Sequence, residues 1–433
     1  MNFLWPIILV ELIWAANLKD PHLFPYRQYE TISLLILAVG TVALILRYGH
    51  NNSKRVALAL SAVVMALILI NEGIFQYHKA IVLEDRFNTE QVLGGHFLVG
   101  YTDLDDLRIL VTNGLVGGVF ITQRNATAKS TDDLHHEISQ LQSLRKTSAL
   151  PPLIIATDQE GGIISRLSPP LPHQPQLSEL ITRSANLDIV ESEAENYGMQ
   201  QGKALSNIGV TVNFSPVVDL KSKRPSSDLD INSLINQRAI SMNPSITTRV
   251  AQAYVRGLEK QGVHATLKHF PGLGRVKEDT HHFSAILDTT ISELDTTDWL
   301  PFKSITNNST TLIMLGHVIL SDVDSDYPVS FSRKVVQTIL RERWRYEGVL
   351  ITDDLTMSAA YSHGLCDATV KSLNAGVDII LLAYDHEKYF DAMYCAARAY
   401  ENGEIDKNIL KLSRQRIDRL RAMELLAPPS AAK

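Results

Sequence analysis

The sequence predicts an α/β chain, a (β/α)8 TIM-type barrel preceded by two or three transmembrane helices. Three observations carry this expectation. Eight short apolar runs alternate with longer helical patterns from Phe97 onward, nearly every run ends in chemically able polar residues, and two almost uncharged apolar stretches lie in the first 76 positions. With 433 residues, the chain has room for one barrel of about 250 residues or more and an appendage.

The elements follow in chain order. Ile32 to Leu46 and Val56 to Ile70 are nearly wholly apolar, and with their flanks each approaches the roughly 20 residues that cross a bilayer. A short polar turn, Arg47 to Arg55, joins them, which makes a membrane hairpin. Phe3 to Ala16 is a third apolar run, interrupted by Pro6 and Glu11; a mid-bilayer carboxylate costs on the order of 2.5–3.5 kcal/mol. A cleavable signal peptide fits less well, because a basic start and a small-residue cleavage site are missing. These features divide the chain into an anchor over 1–76 (helices near 3–18, 31–48 and 55–75), a linker over 77–90, a barrel over 91–427 and a tail over 428–433. The joining turn holds Arg47, Lys54 and Arg55 without an acid, which favours its cytoplasmic placement and an extracytoplasmic, periplasmic barrel.

The expected strands are Phe97–Gly100, Gly118–Thr122, Leu153–Thr157, Val210–Phe214, Ala265–Lys268, Thr311–Met314, Gly348–Thr352 and Val377–Leu382. Strands alternating with helices imply parallel pairing with right-handed crossovers. A doubly wound open sheet is the rival. The residues after the runs favour closure: Asp158-Gln-Glu160, Asp219, Lys268-His269, Gly316-His317 and Asp353-Asp354. A barrel gathers such groups at one mouth, whereas an open sheet strings them along an edge. Ile405 to Leu426 reads as an amphipathic outer helix.

Lys268-His269-Phe-Pro-Gly-Leu-Gly274, followed by Asp279-Thr-His281, is the densest chemical stretch. Lys and His offer donors to a polar ligand, and Gly272 and Gly274 permit backbone geometry closed to other residues. An Asp beside a His orients the imidazole and favours its protonated form. Asp353 ends a buried strand, where a carboxylate needs partners or a task; Asp354 serves equally well as a helix cap. Asp158 to Gly162 with Arg166 fits a strand–turn–helix junction as well as a site, with Arg166 paired to Glu160 as the plain alternative. Arg238 by itself reads as a surface residue. No metal is expected, since no His-x-His closes an early strand. Cys366 and Cys395 show no metal-ligand spacing and do not define a redox compartment. A net charge of −6 without a basic block argues against nucleic acid.

Together these motifs resemble glycoside hydrolase family 3, in particular its single-domain bacterial β-N-acetylglucosaminidases, over roughly Gln91 to Leu426. The family hallmark, Lys-His-Phe-Pro-Gly-(His or Leu)-Gly, four residues, then Asp-(Ser or Thr)-His, is matched throughout residues 268–281. Ile163 stands where the family commonly has Arg, and Leu273 takes the alternative to His. The resemblance implies Asp353 as nucleophile, His281 as general acid/base and Asp279 as its orienting partner. It assigns Asp158, Arg166, Arg238, Lys268 and His269 to holding N-acetylglucosamine. The implied reaction is retaining hydrolysis of terminal β-linked N-acetylglucosamine from peptidoglycan fragments, through a covalent glycosyl-Asp353 and without a cofactor. The expected partners are a carbohydrate and, through the N-terminal helices, a lipid bilayer. A family 3 β-glucosidase or xylosidase, an N-acetylglucosamine phosphorylase using the same dyad, and a non-catalytic muropeptide receptor remain as alternatives.

Overall fold

The computed structural model describes residues 4–49, 51–222, 234–276, 285–307 and 310–426, with the side chains of 51–53, 90 and 424–426 left aside. It divides into two compact units, Met1–Arg86 and Phe87–Lys433.

The first unit is built from α1 (Leu4–Ala16), α2 (Arg27–Tyr48) and α3 (Asn51–Leu83), each packed on the other two. Apolar side chains meet in layers. Leu4, Ile8, Ile45 and Ala57 form one, and Ala15, Leu34, Ala38, Val64 and Ile68 form another. Between them Glu11 is fully buried and accepts a 2.5 Å hydrogen bond from Thr41 Oγ1. The acid that interrupts the first apolar run is thus turned inward onto a hydroxyl, away from the outer surface. Leu9, Ile13, Ile32, Ile36, Val39, Leu69 and Ile70 face outward. Two helical stretches, Pro21–Tyr48 and Lys54–Leu83, are long and apolar enough to cross a membrane, whereas Leu4–Ala16 is shorter. Helix α3 continues to Leu83, through residues expected as linker, because Phe75, Ile81 and Val82 keep a buried stripe going.

The second unit is a closed barrel of eight parallel strands in chain order. The strands are β1 (Phe97–Val99), β2 (Gly118–Phe120), β3 (Ile154–Thr157), β4 (Val212–Asn213), β5 (His264–Phe270), β6 (Leu312–Leu315), β7 (Leu350–Asp354) and β8 (Ile379–Leu382). Each coincides with one of the eight apolar runs, and β8 pairs with β1 to close the ring. Leu98, Phe120, Ile154, Val212, Phe214, Met314, Ile351 and Leu381 fill the interior as one buried cluster. Such a filled centre leaves the strand ends as the place for polar groups. Cys366 and Cys395, on the helices Leu365–Ala375 and Lys388–Glu401, are joined as a disulfide with Cα atoms 5.3 Å apart.

Candidate active site

Two strand ends carry an extra residue. Between β5 and β6 the register runs from Leu267↔Ile313 to Phe270↔Leu315, and between β7 and β8 from Ile351↔Ile379 to Asp354↔Leu381. In each case three steps on one strand face two on its neighbour. The irregularities fall on Lys268-His269 and on Thr352-Asp353. A bulge there breaks the strict in-out alternation of side chains and re-aims the polar residues at the mouth.

Glu160 is the centre of the cluster that results. Its Oε1 lies 2.7 Å from both Lys268 Nζ and an Arg238 terminal nitrogen, and its Oε2 accepts from Arg238 Nε at 3.0 Å. Lys268 Nζ also donates to Asp158 Oδ1 at 2.6 Å. Burial alone would raise the Glu160 carboxyl, but the adjoining Arg238 and Lys268 charges outweigh it and hold the group well below the usual carboxylate range. Burial works against the charge on Arg238 as well, but the neighbouring carboxylates, Glu160 first and then Asp158 and Asp219, outweigh it and keep the guanidinium firmly charged. Residues 158–160 are fixed by Asn213 of β4. Its side chain accepts from Gln159 N at 2.9 Å and donates to the Gln159 carbonyl at 2.8 Å.

His269, at the end of β5, directs Nδ1 to Asp219 Oδ2 at 2.7 Å, while its Nε2 lies 3.5 Å from Arg238. Asp158, Glu160, Arg238, Lys268 and His269 therefore form one connected polar patch. Arg166 joins at its edge, where its backbone N–H donates to the Asp158 carbonyl at 3.0 Å. Glu160 pairs with Arg238 and Lys268, not with Arg166, so the plain alternative for Arg166 fails. Beyond the bulge, the turn uses its two glycines differently. Gly272 has a φ of +108°, while a side chain at Gly274 would collide with the Leu220 carbonyl.

Asp353 is partly buried at the end of β7, and its Oδ1 accepts from Asp354 N at 2.8 Å. Asp354 is no helix cap. Its buried carboxylate accepts from Thr356 N at 2.9 Å, Thr356 Oγ1 at 2.8 Å, Ala383 N at 3.2 Å and Tyr384 N at 2.6 Å. His317 Nε2 lies 2.9 Å from the Asp354 carbonyl. Burial raises the Asp354 carboxyl, the hydrogen bonds from Thr356 and Tyr384 pull it back, and the charge of Asp353 adds to the rise. The second acid thus ties the β7 end to the β8 end and steadies its neighbour. Asp279 and His281 lie outside the described residues. Sequence reasoning passed over Glu160 as a hub and Asp219 and Asp354 as supports; most of their partners, Arg238, His269, Leu273, Ala383 and Tyr384, come from segments far away in the chain.

A family model described as the glycosyl hydrolase family 3 N terminal domain matches residues 90–420. A beta-hexosaminidase of Nitrosomonas eutropha is 32% identical over 292 residues, covering 66% of this chain and 79% of that protein. One from Methylococcus capsulatus is 30% identical over 328 residues, covering 74% and 92% respectively. Among solved structures, a glycoside hydrolase family 3 beta-N-acetylglucosaminidase from Paenibacillus aligns with a TM-score of 0.72 at 28% identity, over 79% of this chain and 64% of that one. This chain therefore spans just under two thirds of the Paenibacillus protein. A family 3 glycosyl hydrolase from Mycobacterium smegmatis aligns with a TM-score of 0.67 at 27% identity, over 77% of this chain and 96% of that one. A closed barrel whose strand ends carry paired acids and cations, matched along nearly its whole length by one family model, places this chain in glycoside hydrolase family 3 and makes it a glycoside hydrolase.

Proposed function

We propose that the protein is a retaining β-N-acetylglucosaminidase that releases terminal N-acetylglucosamine from peptidoglycan fragments, with Asp353 as nucleophile and Asp279–His281 as proton-transfer pair. The observation that carries the reading is the connected patch of Asp158, Glu160, Arg238, Lys268 and His269 at the same mouth as Asp353. Fixed charges and a histidine offer several hydrogen bonds to one sugar ring, which suits a hydroxyl-rich substrate. The names of the relatives support the same sugar.

In the first step, an Asp353 oxygen bonds to the anomeric carbon as the glycosidic bond breaks, and imidazolium His281 gives its proton to the departing oxygen. In the second, neutral His281 takes a proton from water, whose oxygen bonds to the anomeric carbon and frees Asp353. Two inversions give retention. Asp279 favours the imidazolium and fixes its orientation. An imidazole already titrates near neutrality, so this acid does not need the raised pKa that a carboxylic acid would.

The location proposed is the bacterial inner membrane with the barrel outside the cytoplasm. The basic Arg47–Arg55 turn supports this, as does the Cys366–Cys395 disulfide, since such bonds persist in oxidising compartments. The deciding experiment incubates the full-length chain in detergent with an aryl β-N-acetylglucosaminide and with muropeptides, in phosphate and in phosphate-free buffer. Release of free N-acetylglucosamine, first formed as the β anomer and indifferent to phosphate, is expected. An α product, a sugar phosphate or no release would refute the reading.

A further inference from the structure

Asp219 takes no direct part in the chemistry above, yet it is among the most thoroughly engaged carboxylates at the barrel mouth. It is 1% exposed and follows β4, next to the β5 end. Oδ2 accepts from the His269 backbone N–H at 3.0 Å and faces His269 Nδ1 at 2.7 Å. Oδ1 accepts from the Leu273 backbone N–H at 2.7 Å. One carboxylate therefore holds both a residue of the polar patch and the turn that leads toward Asp279 and His281.

We propose that Asp219 is a positioning residue with two linked tasks. It keeps a proton on His269 Nδ1, so that Nε2 is the edge offered to the sugar beside Arg238, and it anchors the Pro-Gly turn at Leu273. The inference rests on the glycosidase reading for its consequences in turnover, though not for its geometry.

The donor pattern makes the carboxylate irreplaceable. Three N–H groups converge on its two oxygens, all in a buried setting. An asparagine of the same shape would offer one oxygen and one NH2 group. Whichever way the amide turns, at least one N–H donor then faces another donor, and a buried unsatisfied donor is costly. The turn beyond is built on the same foundation. Gly272 N donates to the His269 carbonyl at 2.8 Å, Gly274 packs against the Leu220 carbonyl, and Arg275 Nε reaches Asp298 at 2.7 Å. The Leu273–Asp219 bond is thus the first of several fixings that set where the chain leaves the strand end.

The test compares Asp219→Asn with the parent in full-length protein in detergent, on N-acetylglucosaminides with a 4-methylumbelliferyl and a 2,4-dinitrophenyl leaving group. The poor leaving group needs a well-placed proton donor, whereas the good one hardly does. The variant is expected to lose about 10²-fold or more in kcat/KM on the first substrate and at least several-fold less on the second. Its effect on KM should vanish when His269→Ala is already present. Equal losses on both substrates, together with a KM effect that adds to that of His269→Ala, would overturn the proposal. A second measurement needs neither variant nor turnover: ¹⁵N shifts of histidine-labelled parent protein should show a protonated Nδ1 on His269. A bare Nδ1 overturns the proposal even in an active enzyme. A parent protein silent on both substrates with a protonated Nδ1 would instead sink the glycosidase reading and leave the geometry of Asp219 standing.

Discussion

Glu160 and Arg238, 78 positions apart, hold each other through two hydrogen bonds of 2.7 and 3.0 Å at the barrel mouth. Lys268 completes the group from 2.7 Å, so one carboxylate lies between two cations. Glu160→Gln would leave those cations facing a neutral amide in a buried site. A loss of about 3–5 kcal/mol is expected, since removal of one partner strands a buried charge. The folded Glu160 pKa is depressed, so its stabilising contribution is complete above the ordinary glutamate range and fades as pH falls below it. Urea unfolding of the variant and parent at neutral pH, followed by barrel hydrogen exchange, checks the first expectation. A parallel pH series should show the parent losing more stability than the variant below about pH 4.3.

The proposed nucleophile is tested by rescue. Asp353→Gly should lower turnover of an aryl N-acetylglucosaminide by at least about 10³-fold, because neither step of the proposed mechanism proceeds without the covalent bond to Asp353. Added azide, able to enter the space of the missing carboxylate, should restore sugar release as an α-glycosyl azide. Recovery of a β product, or turnover near the parent level, would show that another group attacks the sugar.

Asp279→Ala and His281→Ala should each reduce hydrolysis of chitobiose by about 10²–10⁴-fold. A dinitrophenyl substrate should lose less in its first step, and accumulation of glycosyl-enzyme should then be seen by intact mass. Equal turnover of parent and variants on chitobiose would remove the dyad from the mechanism.

The barrel was legible because its strands are short apolar runs, nearly all closed by polar residues, and that pattern depends only on neighbours in the chain. The same holds for Lys268-His269, where chemistry and turn residues adjoin. Glu160 was not legible as a hub, since its partner Arg238 is supplied by a distant segment and Arg238 has no local signal. Arg166, closer in sequence, looked the more natural partner. Asp354 misled for a related reason. A local reading offers it a helix to cap, while barrel closure offers it the Ala383 and Tyr384 amides instead. Glu11 is the counterpart in the first unit: an acid in an apolar run reads as a defect until the packed helices bring Thr41 to it.

The disulfide makes the location testable by thiol labelling. If the barrel folds outside the cytoplasm, Cys366 and Cys395 should resist alkylation in protein taken directly from cells and react only after reduction. Cysteines introduced singly in the Arg47–Arg55 turn should be shielded from a membrane-impermeant reagent in intact spheroplasts. Free Cys366 and Cys395 with a labelled turn would reverse the orientation.

The barrel should also weaken in mild acid, before the carboxylates matter. His96 and His264 are both buried, and burial lowers each to about 4. The unfolded chain binds a proton at each near 6.5, so between pH 6.5 and 4 it holds more protons than the folded barrel. Stability must therefore fall as pH drops through this window and level off for these two groups below it. Each contributes a slope of up to about 1.4 kcal/mol per pH unit. His96 Nδ1 lies 2.9 Å from the Asp378 carbonyl, which a glutamine amide can also meet, so His96→Gln should preserve the contact and remove one titration. Urea midpoints of the full-length protein at pH 7, 5.5 and 4.5 should decline less steeply in this variant than in the parent. Parallel declines would mean that His96 carries the same proton load folded and unfolded, and the acid sensitivity would then belong to other groups.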